Sequence, residues 1–209
     1  IYTKKGIVKK IKLSEFSSPR KGGIRAINLN EKEDSLIDVR IIKPEQEVLL
    51  VTRMGQACRF NSNDVRAMGR TSYGVTGIKL NKGDDVVSLE VLPFKEDKEK
   101  GKYAILTITK KGYGKRTKID EYRLTGRAGK GVKNIKTSDK NGEVVTSQSV
   151  RDDDSIIVTT AKGIVMRTSV KYIRLMSRST VGVRVIKLQK GDYVTDLVIV
   201  PYVADVTSF

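Results

Sequence analysis

Histidine and tryptophan are absent from the 209-residue chain, cysteine occurs once and proline four times. Without histidine no Ser-His-Asp triad can be built, and proton transfer would fall to carboxylates or lysines. A single cysteine excludes a disulfide framework, and zinc sites made of closely spaced Cys and His ligands cannot be assembled. No apolar run approaches the ~18 residues of a membrane-spanning helix, and no signal-peptide pattern opens the chain. Ile1 is not an initiator methionine, so the chain is expected to be a fragment or a processed piece. Hydrophobic residues make up 38% and aromatics 6%, against an ordinary apolar share of about 45–50%. Acids are outnumbered by bases, 24 against 41, leaving a net charge of +17. These absences describe a soluble, basic protein of a reducing compartment. Its charge speaks about partners rather than fold, with nucleic acid first and an anionic membrane second.

What the chain does have is an internal repeat. A glycine follows a short β-rich run four times, at Gly6, Gly55, Gly112 and Gly163, with spacings of 49, 57 and 51 residues. Four positions after each glycine sits a base: Lys10, Arg59, Arg116 and Arg167. A second glycine, followed by a β-branched residue, comes at Gly23, Gly74, Gly131 and Gly182, 19 residues after the first in three repeats and 17 in the opening one. Three residues further on, the β-run is expected to resume, as at Ile78-Lys79-Leu80 and Ile186-Lys187-Leu188.

Within each copy the pattern is strand-like. Val48–Val51, Ala104–Ile108 and Ile156–Thr159 are β-branched runs bounded by glycine or charge, and further strands are expected at Leu36–Val39, Val86–Leu89, Val144–Thr146 and Val194–Leu197. Lys82-Gly83-Asp84 and Lys190-Gly191-Asp192 read as turns, and Asn141-Gly142 suits a primed hairpin turn with two residues at positive φ. No stretch shows sustained helical periodicity, and Lys95 to Gly101 reads as a charged loop tip. About fifty residues with four strands is the size of one propeller blade, which cannot bury its apolar face alone. The expected fold is all-β and propeller-like, with approximate blades 1–48, 49–103, 104–155 and 156–209 in one domain.

The charge follows the repeat. Segments 3–25, 53–79, 110–136 and 162–187, which surround the glycines, hold 30 of the 41 bases and 4 of the 24 acids; the remainder is net negative. Equivalent segments of a radial array lie at one radius, so the excess would form a belt suited to a polyanion. Arg66, Arg123 and Arg174 lie eight residues before the second glycine; Arg70, Arg127 and Arg178 lie four before it, with Arg20 three before it in the first copy. The arginine fork matches phosphate oxygens. The bases expected to contact DNA are Lys9, Lys10, Arg20, Lys21 and Arg25; Arg59, Arg66, Arg70 and Lys79; Lys115, Arg116, Arg123, Arg127, Lys130 and Lys133; and Arg167, Arg174, Arg178 and Arg184. The second glycines serve either close phosphate approach or a tight turn. No recognition helix or finger is present to read base edges. The tyrosines do not recur in register as stacking platforms, and Tyr122 and Tyr172 are read as packing residues. Duplex backbone binding with bending is therefore expected. Asp152-Asp153-Asp154 reads as strand-entry charge rather than a calcium loop. Cys58 reads as a small core residue, and Gly126 to Gly131 lacks what a nucleotide loop needs. No nucleophile has a base beside it, so no catalytic residue, metal or cofactor is expected.

The stretches Gly6-Ile7-Val8-Lys9-Lys10, Val65-Arg66-Ala67-Met68-Gly69-Arg70-Thr71 and Lys111-Gly112-Tyr113-Gly114-Lys115-Arg116-Thr117 resemble the C-terminal domain of DNA gyrase A, over essentially the whole chain. The related C-terminal domain of topoisomerase IV is the close competitor. The resemblance implies a β-pinwheel whose blades exchange strands and whose basic rim wraps duplex DNA. It implies an accessory domain of an ATP-dependent type II topoisomerase that supports supercoiling, with the catalytic tyrosine elsewhere. The implied partners are DNA, the gyrase A cleavage core and gyrase B, in the bacterial cytoplasm, with the isolated domain a monomer that binds no membrane. Such domains have about six blades, so the four copies here resemble the later ones, with the first two missing. The family's Gln-Arg-Arg-Gly-Gly-Lys-Gly box has its nearest counterpart in Thr125–Gly131, matching at four of seven positions and read as a blade-equivalent loop. A propeller that binds an acidic protein partner is the alternative reading of the charge, and an enzyme acting on nucleic acid is a third.

Overall fold

The β-branched runs form strands because their side chains alternate across a pleated, partly buried surface. A computed structural model describes residues 1–19, 21–94 and 103–203. Arg20 and the expected loop tip from Lys95 to Gly101 lie outside the described residues. In chain order the strands are β1 (Tyr2–Thr3), β2 (Ile7–Val8), β3 (Leu36–Asp38), β4 (Glu47–Thr52), β5 (Gln56–Asn61), β6 (Val75–Thr76), β7 (Val86–Val91), β8 (Ala104–Thr109), β9 (Tyr113–Lys118), β10 (Val132–Lys133), β11 (Val144–Val150), β12 (Ser155–Thr160), β13 (Val165–Ser169), β14 (Val183–Arg184) and β15 (Val194–Val200). Short 3-10 turns at Leu13–Phe16, Ser62–Asp64, Ile119–Glu121 and Val170–Tyr172 follow β2, β5, β9 and β13.

The strands make four antiparallel sheets, ordered β3-β1-β2-β6, β7-β4-β5-β10, β11-β8-β9-β14 and β15-β12-β13. In each of the first three sheets the last strand comes from the following repeat. Val75 pairs with Val8, Val132 with Ala57, and Val183 with Gly114. The expected strand at Ile78–Leu80 is thus replaced by a two-residue strand directly after the second glycine, while Ile78, Ile135 and Ile186 are buried plugs beyond it.

The chain divides into two compact units, Ile1–Phe94 with Tyr122–Asn134, and Lys95–Glu121 with Ile135–Phe209. Strand exchange explains the division, because it commits β10 of the third repeat to the sheet of the second. The core of the first unit gathers Tyr2, Val8, Val48, Leu50, Cys58, Phe60, Val65 and Leu89; that of the second gathers Leu106, Ile108, Ile156, Val158, Val170, Ile173 and Leu197. Strands β4 and β8 are buried along nearly their whole length, whereas β12 alternates buried and half-buried residues. Asn141 does not adopt positive φ, so Asn141-Gly142 is not a primed turn; only Gly142 is left-handed, at φ 75°. Asn141 is instead fully buried, its amide donating to the carbonyls of Lys136 and Val181.

Candidate nucleic-acid interface

Position in the repeat decides what each base does. Three residues after the first glycine stand Lys9, Cys58, Lys115 and Met166, and the first three reach the loop that leads to the next repeat's exchanged strand. Lys9 Nζ donates to the carbonyls of Arg70 at 2.5 Å and Ser72 at 2.9 Å, and to Ala26 at 2.8 Å. Lys115 Nζ donates to the Ser177 carbonyl at 2.6 Å and the Thr117 hydroxyl at 3.0 Å. Cys58 Sγ lies 3.9 Å from the Gly126 carbonyl, and burial raises its thiol pKa. One residue on, Arg59 grips the Glu47 carboxylate and donates to the Tyr122 carbonyl at 2.7 Å. Arg116 pairs with Asp152 and donates to the Ile173 carbonyl at 2.6 Å.

Lys9, Arg59, Lys115 and Arg116 are all buried, which corrects their expected place among the DNA contacts. Each donates to a backbone carbonyl in the following repeat's loop or turn, so desolvation is offset internally. Lys10 is half-buried and donates to the Ser62 carbonyl at 2.7 Å. Arg167, the fourth member of the series, is exposed.

Burial pushes the Lys115 ammonium down from its ordinary 10.5 to about 8. Between these values the unfolded chain holds a proton that the folded chain has released, so stability rises with pH across that window. Below it the buried charge is a burden. Lys115→Met, the residue type that Met166 places at the equivalent position, is expected to remove this dependence. In urea unfolding, wild type should gain on the variant by ~3 kcal/mol between the two pH limits.

The loops before the second glycines carry the remaining arginines. Arg70 pairs with Glu15 at 3.8 Å, Arg127 donates to the Asp64 carbonyl at 3.0 Å, and the Arg178 amide donates to Glu121 at 3.1 Å. These three therefore tie each loop to the turn of the preceding repeat. Arg66, Arg123 and Arg174 differ: all are exposed, and none has an ion pair among the described residues. Arg66 and Arg123 belong to the first unit and Arg174 to the second. Lys21, Arg25, Lys79, Lys130, Lys133 and Arg184 are also exposed.

The second glycines at 74, 131 and 182 serve strand approach rather than phosphate approach. All have positive φ, and a Cβ would meet Val8 O at 2.8 Å, Ala57 O at 2.3 Å and Gly114 O at 2.7 Å. At the first-glycine turns the charge is partly cancelled, since Asp85 lies within 4 Å of Lys4, Lys5 and Arg53.

Tyr122 is buried and donates to Asn134 Oδ1. Tyr172 is 76% exposed, against expectation, because Ile173 rather than Tyr172 occupies the position equivalent to Tyr122. Tyr113 carries Arg184 and Lys140 near its ring, both 5.7 Å from the centroid. Lys140 falls outside the basic sequence segments, and only this stacking brings it to the group. Asp152 pairs with Arg116, and Asp154 accepts from the Arg151 and Tyr202 amides, so these two aspartates are structural, while Asp153 is exposed.

Sheets that borrow a strand from the following repeat, joined by arginine-bearing loops, define a strand-exchanged module of the propeller type. The chain belongs to the family described as DNA gyrase C-terminal domain, beta-propeller, whose model matches residues 3–43, 46–93, 104–151 and 154–201. It is 45% identical over 93% of its length to the DNA gyrase A protein of Salmonella typhimurium, covering 21% of that protein. It is 39% identical over 91% of its length to the DNA gyrase A protein of Chlamydia pneumoniae, covering 22% of it. The chain thus spans about a fifth of these relatives. Among solved structures it is similar to the C-terminal domain of DNA topoisomerase IV, with a TM-score of 0.86 and 27% identity over 95% of this chain and 60% of that one. The DNA gyrase A C-terminal domain superposes at 0.82, also at 27% identity, over 94% of this chain and 63% of that one.

Proposed function

We propose that the chain binds duplex DNA through its phosphates, without reading bases, and bends it along the exchange loops. In this reading it is an accessory module of a type II topoisomerase in the bacterial cytoplasm, acting beside the gyrase A cleavage core and gyrase B to support supercoiling. The observation that carries the reading is the recurrence of Arg66, Arg123 and Arg174, exposed and without ion pairs among the described residues, at one position of three successive loops. The loops are fastened by Lys9, Lys115 and the neighbouring guanidinium groups, so the backbone carrying the exposed arginines is held in place and only their side chains have to be ordered on contact. Non-specific binding through about eight phosphates releases counterions, giving a log–log salt slope near −7. Anisotropy titrations of unrelated duplex sequences should give that slope with nearly equal affinities. A shallow slope, or tight binding to an acidic protein and none to DNA, would remove the reading.

A further inference from the structure

The junctions between successive repeats share a backbone plan but carry different chemistry. Lys4-Lys5-Gly6 and Lys110-Lys111-Gly112 are the first-glycine turns of the first and third repeats. At each, the following repeat returns an amide to the turn: Val86 donates to the Lys4 carbonyl at 2.8 Å, and Val194 to the Lys110 carbonyl at 2.9 Å. The residue before that amide is thereby set beside the turn lysines. In the first unit it is Asp85, whose carboxylate pairs with Lys4 at 3.8 Å and Lys5 at 3.0 Å. In the second it is Tyr193, and Lys110 Nζ lies 4.9 Å from the centre of its ring.

A second ring follows the same turn. Tyr113 opposes Arg184 in the β9–β14 pair, where the first two sheets pair Ile7 with Thr76 and Gln56 with Lys133. The Arg184 guanidinium donates to the Tyr113 hydroxyl at 3.3 Å and lies, like Lys140 Nζ, 5.7 Å from the ring centre. Lys111 Nζ donates to the Asp139 carbonyl, which joins the turn to the loop that carries Lys140. Lys110, Lys111, Lys140 and Arg184 are all exposed, and none has an ion pair among the described residues. A ring and a carboxylate both orient a cation, but only the carboxylate cancels its charge. Tyr113 and Tyr193 therefore hold their cations with the charge intact, so that less ordering of long side chains remains for an incoming anion.

We propose that Lys110, Lys111, Lys140 and Arg184, gathered around Tyr113 and Tyr193, form a site for successive phosphates of a DNA duplex. The site rests on the duplex-binding reading above, is additional to the loop arginines, and has no counterpart at the junction of the first and second repeats. Both rings already carry cations, so they serve as supports for charge rather than as platforms for nucleobases, which single strands would need.

Anisotropy titration of the full chain with a duplex of about two helical turns tests the part played by the rings. Tyr113→Ile with Tyr193→Leu keeps every charge and places at 113 the residue type of Ile7. This pair should weaken duplex binding about tenfold with the salt slope unaltered, and Tyr113→Phe with Tyr193→Phe should recover most of the loss. Lys110→Ala, Lys140→Ala and Arg184→Ala together should instead lower the slope by roughly three. Circular dichroism reports whether each variant keeps its β fold. Lysine acylation of the unchanged chain, read by mass spectrometry, needs no variant: bound duplex should slow the reaction at Lys110, Lys111 and Lys140 more than at Lys4 and Lys5, each relative to the free chain. Full affinity in the folded ring variant, or equal shielding of the two turns, overturns this site and leaves the duplex-binding reading standing. A preference for single strands that disappears with the rings overturns it in favour of stacking. No duplex binding by the unchanged chain overturns both.

Discussion

The combined charge reversal Arg66→Glu, Arg123→Glu and Arg174→Glu is expected to abolish measurable duplex binding while the β fold survives. All three side chains are exposed and none has an ion pair among the described residues, so reversal breaks no internal contact of that kind. A charge-assisted hydrogen bond to phosphate contributes about 1.5 kcal/mol at the low end. Losing three costs ~4 kcal/mol, roughly a thousandfold in affinity, before the added repulsion is counted. With about 0.9 counterions released per phosphate, the salt slope should also fall by nearly three. Anisotropy titration measures both, and circular dichroism with a thermal melt reports the fold. Unchanged affinity with an intact fold would move the contact surface away from these loops.

Replacing Gly131 by alanine should destabilise the first unit by ~3–5 kcal/mol, in the range reserved for backbone conflicts at special positions. At φ +74° an L side chain is already strained, and the new Cβ would sit 2.3 Å from the Ala57 carbonyl oxygen. The clash falls where β10 pairs with Gln56 and Ala57, so relief means releasing the exchanged strand. Gly23→Ala is the matched comparison. Its φ is similar, +77°, but nothing lies within 4 Å, and only the left-handed cost of about 1–2 kcal/mol remains. Denaturant unfolding of both variants separates strain from clash, and amide exchange at Ala57, which pairs with Val132, should accelerate only in the first. Equal losses would mean that strand approach does not depend on the glycine.

Much of the fold was legible because glycine spacing and β-branched runs are local. Val48–Val51, Ala104–Ile108 and Ile156–Thr159 lie within β4, β8 and β12, and four repeats follow from counting. Strand exchange itself came with the family resemblance, since a two-residue strand such as Val132-Lys133 carries no periodicity to read. The buried bases were misplaced for a similar reason. Lys9, Arg59, Lys115 and Arg116 bind mainly backbone carbonyls one repeat away, and a carbonyl leaves no trace in sequence. Acids nine residues after the first glycine, Glu15, Asp64 and Glu121, were a usable signal: they stand where the loop arginines Arg70, Arg127 and Arg178 dock. Tyr172 failed as a packing residue by one position on a tight turn, where neighbours point in different directions.

Duplex bending is tested most directly by end-to-end energy transfer in doubly labelled duplexes of about two helical turns and longer, titrated first with protein and then with salt. Smooth bending of such a site by 40–90° costs on the order of 1–6 kcal/mol, which the exchange-loop arginines must offset. Transfer should rise on binding, grow with duplex length and collapse as salt is added. Binding with no change in end-to-end distance would contradict bending and leave these loops holding a straight segment.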